Sequence, residues 1–343
     1  MARTSLSLRG VAVTAAKVAI AVAAFAWLVG QIDVERALGA LGGLQPGPIA
    51  ALFAVSIAGL FARFYTWQVT IAPVQRVSVR TAGSIALIVN FVNQLLPSRL
   101  SGRLAAPFVL RSQTGMAYTD AAAVSGVHTG IYALLYGLVS LVGVAASYGQ
   151  LPFGLVVVVG LSTGLYLAAG VFVLAVGTNL QFLDPLLAVL TRVVARVPRV
   201  GERAAERIRD LSSGTDASAA TFRDLATNPR VWLGYAAGWA VTLVLAPGVR
   251  VFLLLASFGV AFEPVVLLPL YLVTAYSVTL LPLTPGGIGV TEATATAVFV
   301  ALGVPAEVIV PIVLVDRVFG IYLPAVMGWY PSTRLDLAAM SVD

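Results

Sequence analysis

Leu281-Pro282-Leu283-Thr284-Pro285-Gly286-Gly287-Ile288-Gly289 interrupts an apolar stretch that runs from Pro264 to Gly303. Proline lacks a backbone donor and glycine reaches positive φ, so this stretch cannot continue a helix. A shorter break of the same kind occurs earlier. There Ala82–Leu96 ends at Pro97, and an amphipathic stretch, Ser98–Leu110, follows. Around these two breaks lie long apolar runs at Val11–Val29, Gly47–Ala72, Ala117–Ser147, Leu151–Val176, Val231–Ser257 and Ala306–Tyr330. Each has the length of a membrane-crossing helix.

Composition points the same way. Of 343 residues, 59% are hydrophobic and 10% are charged, and the mean hydropathy is +0.95. Soluble domains carry about 25% charged residues, so lipid is the solvent that suits this chain. The expected fold is all-α, a polytopic membrane bundle treated as one domain over 1–343. The net charge of +6 reads as arginines placed on cytoplasmic loops and not as a nucleic-acid face. There is no cysteine and one histidine, His128, which excludes a disulfide, a thiolate metal site and a multi-histidine zinc site. No metal or cofactor is expected. Gly287-Ile288-Gly289 lacks the strand and third glycine of a dinucleotide fingerprint, no P-loop is present, and no nucleophile elbow accompanies His128.

Loop arginines orient the chain. Arg3 and Arg9, Arg76 and Arg80, and the polar connector at about 179–230 belong inside, whereas Ser147–Gln150 and Phe258–Glu263 carry no Lys or Arg. These assignments agree if Ala82–Leu110 starts and ends on the cytoplasmic side and Pro264–Gly303 on the outer side. The reading is six full spans plus two re-entrant hairpins, with both termini cytoplasmic; about ten helices result if every run crosses. The N-terminal run reads as a retained first span and the connector as a solvated link.

The two halves resemble each other. Leu95-Leu96-Pro97 recurs as Leu280-Leu281-Pro282, Gly115 as Gly303, and Gly130-Ile131-Tyr132 as Gly320-Ile321-Tyr322. The half-repeats run over about 82–147 and 264–330. An odd number of crossings separates them, so the second is inverted, as in many transporters.

Candidate site residues cluster at the breaks. Arg99 and Arg103 follow Pro97, and guanidinium forks suit phosphate. Asn93 and Gln94 lie near the first tip, able to cap freed backbone. Pro285, Gly286, Gly287 and Gly289 offer unwound backbone, and the arm after them starts with N–H groups that favour an anion. Asp316 and Arg317 lie mid-span, where charge is costly. Glu292 is a natural mate for Arg317, and Asp316 for Arg99 or Arg103. His128 either relays protons or, more plainly, packs as a hydrogen-bonded core residue. Lys17 and Arg63 read as snorkelling to the inner interface, Arg250 to the outer one.

Asn93-Gln94-Leu95-Leu96-Pro97-Ser98-Arg99 with Gly102-Arg103, and Leu281–Glu292 with Arg317, Gly320, Pro324 and Gly328, resemble the signatures of the flippase-like family. That family is also called the lysylphosphatidylglycerol synthase transmembrane region. The resemblance spans about Val11 to Tyr330. It implies movement of lipids between leaflets, with aminoacylated phosphatidylglycerol or polyprenyl-phosphate sugars as examples, by a chain that is not itself an enzyme. Arg103 stands where the family commonly has Glu, and His128-Thr129 where an acidic/basic pair often sits. Partners implied are a lipid substrate and a lipid-modifying enzyme, with no nucleic acid. The leading expectation is a transporter in which Arg99, Arg103, Asn93 and the Pro285–Gly289 backbone hold phosphate, and Glu292, Asp316, Arg317 and His128 couple or gate. A membrane-embedded enzyme acting on a lipid phosphate and a non-transporting partner of a lipid synthase are the alternatives.

Overall fold

A computed structural model describes residues 42–96, 101–179 and 215–335, together with Glu35 and Gly39. The first expected span, Pro97, Arg99, Lys17 and most of the polar connector lie outside the described residues.

The described chain is helical, as backbone in lipid must be to satisfy its own N–H and C=O groups. Helix α1 is Pro46–Ile71 and α2 is Val79–Leu95. A 3₁₀ turn at Ser101–Ala105 leads to α3, Ala106–Thr114. Long helices α4, Tyr118–Ala146, and α5, Phe153–Thr178, follow. The end of the connector forms α6, Thr215–Ala226. Helix α7, Pro229–Ala240, passes through a π segment, Val241–Leu245, into α8, Ala246–Ser257. Helix α9 is Leu268–Tyr276, with 3₁₀ turns at Val265–Leu267, Ser277–Leu280 and Pro285–Gly287. Helix α10 is Val290–Ala301. Last, α11, Ala306–Arg317, runs through a second π segment, Val318–Tyr322, into α12, Leu323–Ser332. Among the described residues, five stretches are long and apolar enough to cross a membrane: Pro46–Ile71, Tyr118–Ala146, Phe153–Thr178, Pro229–Ser257 and Ala306–Ser332. The fold is a polytopic helical bundle.

Both broken segments fold back on themselves. At the first, Gln75, just ahead of α2, donates through Nε2 to the Thr114 carbonyl at the end of α3, 3.1 Å away. The start and end of this segment therefore share one end of the bundle. At the second, Phe262, Leu268 and Val304 share one buried cluster with Leu151 of the α4–α5 loop. The two tips meet inside, where the Gly286 N–H donates to the Leu96 carbonyl at 3.1 Å.

Close packing holds α12 against α2. A Cβ on Gly328 would stand 2.1 Å from the Leu87 carbonyl oxygen, so only glycine fits there.

The expected solvated connector is partly docked. Phe222 of α6 is buried in a slot between Gly126 of α4 and Gly177 of α5. A Cβ on Gly177 would lie 2.2 Å from its ring. Thr221 donates to the Asp120 carboxylate at 2.9 Å, and Ser218 to the Thr119 carbonyl at 3.1 Å. Gly177→Val should expel the ring and cost about 1–3 kcal/mol, the usual range for overpacking. A thermal-unfolding midpoint equal to that of the unaltered protein would contradict this docking.

Candidate functional site

Two π segments interrupt the long spans, and both stand just ahead of a proline, Pro247 and Pro324. Pro324 has no N–H to return to the Gly320 carbonyl four residues earlier. Arg63 supplies the missing donor from α1, its Nη2 lying 2.8 Å from that oxygen. Asn90 of α2 donates to the next carbonyl, Ile321, at 3.1 Å. Arg63 therefore points into the bundle and not toward the inner interface as its sequence position implied. Freed backbone inside a membrane needs such partners, and a polar cavity forms where they converge.

That cavity has a volume of about 70 Å³ and is walled by α1, α2, α4, α7 and the turn after the first break. At roughly 10–15 Å³ of such space per water, it holds several waters or a small ionic group. Arg63, Asn90, Asn93, Gln94, Arg103 and His128 supply its polar wall, and no acidic residue lines it among the described residues. Arg103 lies flat over the Tyr132 ring, 3.7 Å from its centroid, and also interacts with the Tyr235 side chain. Its Nε and Nη1 are buried and have no hydrogen-bond partner. A buried guanidinium with unused donors is costly unless an anion completes it.

His128 is 3% exposed. Its ring stacks on Trp67 with centroids 3.7 Å apart and meets Tyr235 edge-on at 4.9 Å. It is packed, as the plainer reading held, yet its Nδ1 has no hydrogen-bond partner, which that reading did not foresee. The amide oxygens of Asn93 and Gln94 also have no hydrogen-bond partner, and the tip they were expected to cap, 97–100, lies outside the described residues.

The second break is built differently from the sequence expectation. Gly286, Gly287 and Gly289 take φ values of 61°, 71° and 81°, which side-chain-bearing residues avoid. A Cβ on Gly286 would lie 2.4 Å from Oε1 of Gln94, so glycine is also needed for the two tips to touch. The N–H groups do not wait for phosphate. Gly286 donates to Leu96, Gly287 to Thr284 and Ile288 to the Pro285 carbonyl, and Gly289 donates to Glu292 Oε2 at 2.7 Å. Pro285, Gly286, Gly287 and Gly289 are thus a clasp between hairpin tips.

An ion pair braces this clasp, and a second, buried one lies next to it in sequence. Arg317, 0% exposed, donates from Nε to Glu292 Oε1 at 2.8 Å and from Nη2 to the Gly286 carbonyl at 3.4 Å. Tyr322 donates to the same Glu292 oxygen. Glu292 is three positions into its helix, so it also reaches back to cap Gly289. The Arg317–Glu292 mate expected from the sequence is therefore present. The other pairing is a correction. Asp316 does not meet Arg103. Its Oδ1 lies 2.7 Å from Arg250 Nη2 and accepts from Arg250 Nε at 2.8 Å, and its Oδ2 accepts from Tyr276 at 2.8 Å. Arg250 is 3% exposed and belongs to the interior, not to the outer interface. Its position mid-way along an apolar helix was the available signal, but a long side chain in such a place reads equally as snorkelling.

Arg103, His128 and Asn93 come together at the cavity, whereas Glu292, Asp316 and Arg317 stand at the ion pairs behind it. Arg99 lies outside the described residues. Sequence reasoning missed Arg63, Asn90 and the aromatic wall of Trp67, Tyr132 and Tyr235.

This fold and site define a polytopic helical membrane protein with a cationic cavity beside the first broken segment, lined by no acidic residue among the described residues. The chain belongs to the lysylphosphatidylglycerol synthase TM region family, whose sequence profile matches residues 14–328. Membership associates it with lipid metabolism or transport. No curated protein and no solved structure matches the chain.

Proposed function

We propose that the chain moves a phosphate-bearing lipid headgroup across the bilayer, as a carrier and not as a catalyst. The broken segments act as re-entrant hairpins of an inverted repeat, with both termini cytoplasmic, and the headgroup passes through the cavity beside their tips. One observation carries this reading: Arg103, two of whose buried donors have no hydrogen-bond partner, lines a cavity that no carboxylate lines among the described residues. A site of fixed positive charge in a low-dielectric wall favours an anion and disfavours a metal ion. Lipid tails can stay in the hydrocarbon while only the headgroup uses the polar path. The clasp between Leu96 and Gly286 is a single backbone hydrogen bond, weak enough to open and close as a gate.

The test is reconstitution of the full chain in liposomes containing tail-labelled phosphatidylglycerol, with dithionite added outside. Protein-free vesicles lose only the outer-leaflet label. The expected result is continued loss of the inner-leaflet label in vesicles that carry the protein. Retention of that label at the protein-free level would overturn the reading.

A further inference from the structure

Two groups of helices meet at the π segments. Val231, Tyr235 and Trp239 of α7 belong to one buried cluster with Trp67 of α1 and the buried face of α2. Past the π segment, Val251, Leu254 and Leu255 of α8 belong to a second cluster with α9, α10 and α11. The same switch occurs at the other π segment. Ile309, Ile312 and Val313 of α11 lie in the second cluster, whereas Tyr322 and Ala325 pack with Phe91 of α2. At both crossings the regular helical ladder is already broken. The N–H groups of Ala246 and Leu323 donate five residues back, to the Val241 and Val318 carbonyls. Pro247 and Pro324, close behind, have no N–H to donate. Helices bend at such places, because fewer hydrogen bonds are lost there.

Each group is closely held within itself. Gly238 of α7 lies against Thr66 of α1, Gly83 of α2 against Phe64 of α1, and Gly328 of α12 against Leu87 of α2. In the other group, Asp316 joins α11 to Arg250 of α8 and Tyr276 of α9. Thr274 of α9 donates to the Ser140 carbonyl of α4 at 3.2 Å. Helix α1 touches both π segments. Thr242 of the first donates to the Gly59 carbonyl at 3.1 Å, and Arg63 donates to Gly320 of the second at 2.8 Å. A small cavity of about 10 Å³ lies at this level, with Gly59, Arg63, Thr242, Gly320 and Pro324 in its wall. It gives the helices room to shift in an otherwise close-packed interior.

We propose that the two π segments are a paired hinge, on which α1, α2, α7 and α12 swing against α4 and open the larger cavity at the end of the bundle where α7 begins. The moving group carries Trp67, Asn90 and Tyr235, and α4 carries His128 and Tyr132, so the swing parts the two walls of that cavity. It separates the His128 ring from Trp67 and Tyr235. Helix α7 has 12 residues. A bend of about 20° at one end of a helix about 18 Å long moves the other end by about 6 Å. The inference rests on the transport reading for its purpose, and a distance measurement tests it separately.

The chain has no cysteine, so spin labels go only where cysteines are placed. Arg230→Cys with Ala117→Cys pairs exposed positions at the starts of α7 and α4. Tyr148→Cys with Val266→Cys is a reference pair, both exposed and both outside the moving group. Double electron–electron resonance in phosphatidylglycerol liposomes should give two distances about 6 Å apart for the first pair and one for the reference. Pro247→Ala with Pro324→Ala restores a backbone donor to each ladder. This variant should keep only the shorter distance and move lipid at least about tenfold more slowly, as when a conformational step limits the rate. A single distance for the first pair with both prolines in place would overturn the hinge. Both distances persisting in the proline variant would overturn it as well. Two distances in a chain that moves no lipid would keep the hinge and remove the transport reading.

Discussion

Arg103→Gln should slow lipid movement by about a hundredfold and leave the fold intact. Losing one partner of a desolvated charge contact costs about 2–5 kcal/mol, which at about 1.4 kcal/mol per decade reaches that factor toward its lower end. The fold has little to lose. Nε and Nη1 of Arg103 hold no protein acceptor, so no carboxylate or carbonyl is orphaned when they go. What disappears is the contact with Tyr132, about 0.5–2 kcal/mol, and the interaction with the Tyr235 side chain, partly offset by the removal of a half-buried charge. Initial rates of inner-leaflet label loss, beside thermal-unfolding midpoints of the same preparations, measure both halves. Arg103→Lys keeps the charge but loses the fork, so its rate should fall between the two. A normal rate for Arg103→Gln would show that the cavity does not carry the headgroup.

Arg317→Met should do the reverse and act through stability. Breaking a fully buried ion pair from one side costs about 3–5 kcal/mol, and the 21% exposure of the Glu292 side chain places this pair toward the lower end. Here Glu292 would keep its charge beside Tyr322, and the Gly286 carbonyl would lose a donor. The clasp between the hairpin tips depends on both. The expected outcome is a large drop in the yield of monodisperse protein and in its unfolding midpoint. Adding Glu292→Gln should restore part of the loss, since glutamine can still cap Gly289 and no longer needs a cation. A single variant as stable as the original protein would contradict the bracing role. The contrast between the two arginines is physical: Arg317 is ion-paired to Glu292, and Arg103 Nε and Nη1 have no hydrogen-bond partner.

Much of the architecture was legible before any coordinates. The length and spacing of apolar runs predict the helices that include Pro46–Ile71 and Ala306–Ser332, because a bilayer has a set thickness and demands internal hydrogen bonding. Proline and glycine marked the broken segment at Pro285–Gly287, since those residues restrict or free the backbone whatever surrounds them. Glu292 and Arg317 could be matched because few charges occur at membrane depth and each needs a mate.

What failed were statements about which side chain faces which. Asp316 was matched with an arginine near the first break and found Arg250, 66 residues away in sequence. The Gly286–Gly289 backbone expected to hold phosphate instead spends its glycine N–H groups on Leu96, Thr284 and Glu292. Arg63 was assigned to an interface and instead completes the Gly320 carbonyl.

The sequence alone thus determined the solvent, the helices and the places where they break, for these follow from local chemistry and from the thickness of lipid. Only the tertiary structure decided which polar groups are spent and which remain open. Helix rotation and packing bring distant residues together, and no periodicity along one chain records that. The breaks at Pro285 and after Leu96 turned out to satisfy each other, and the open valences were left at Arg103, Asn93 and Gln94.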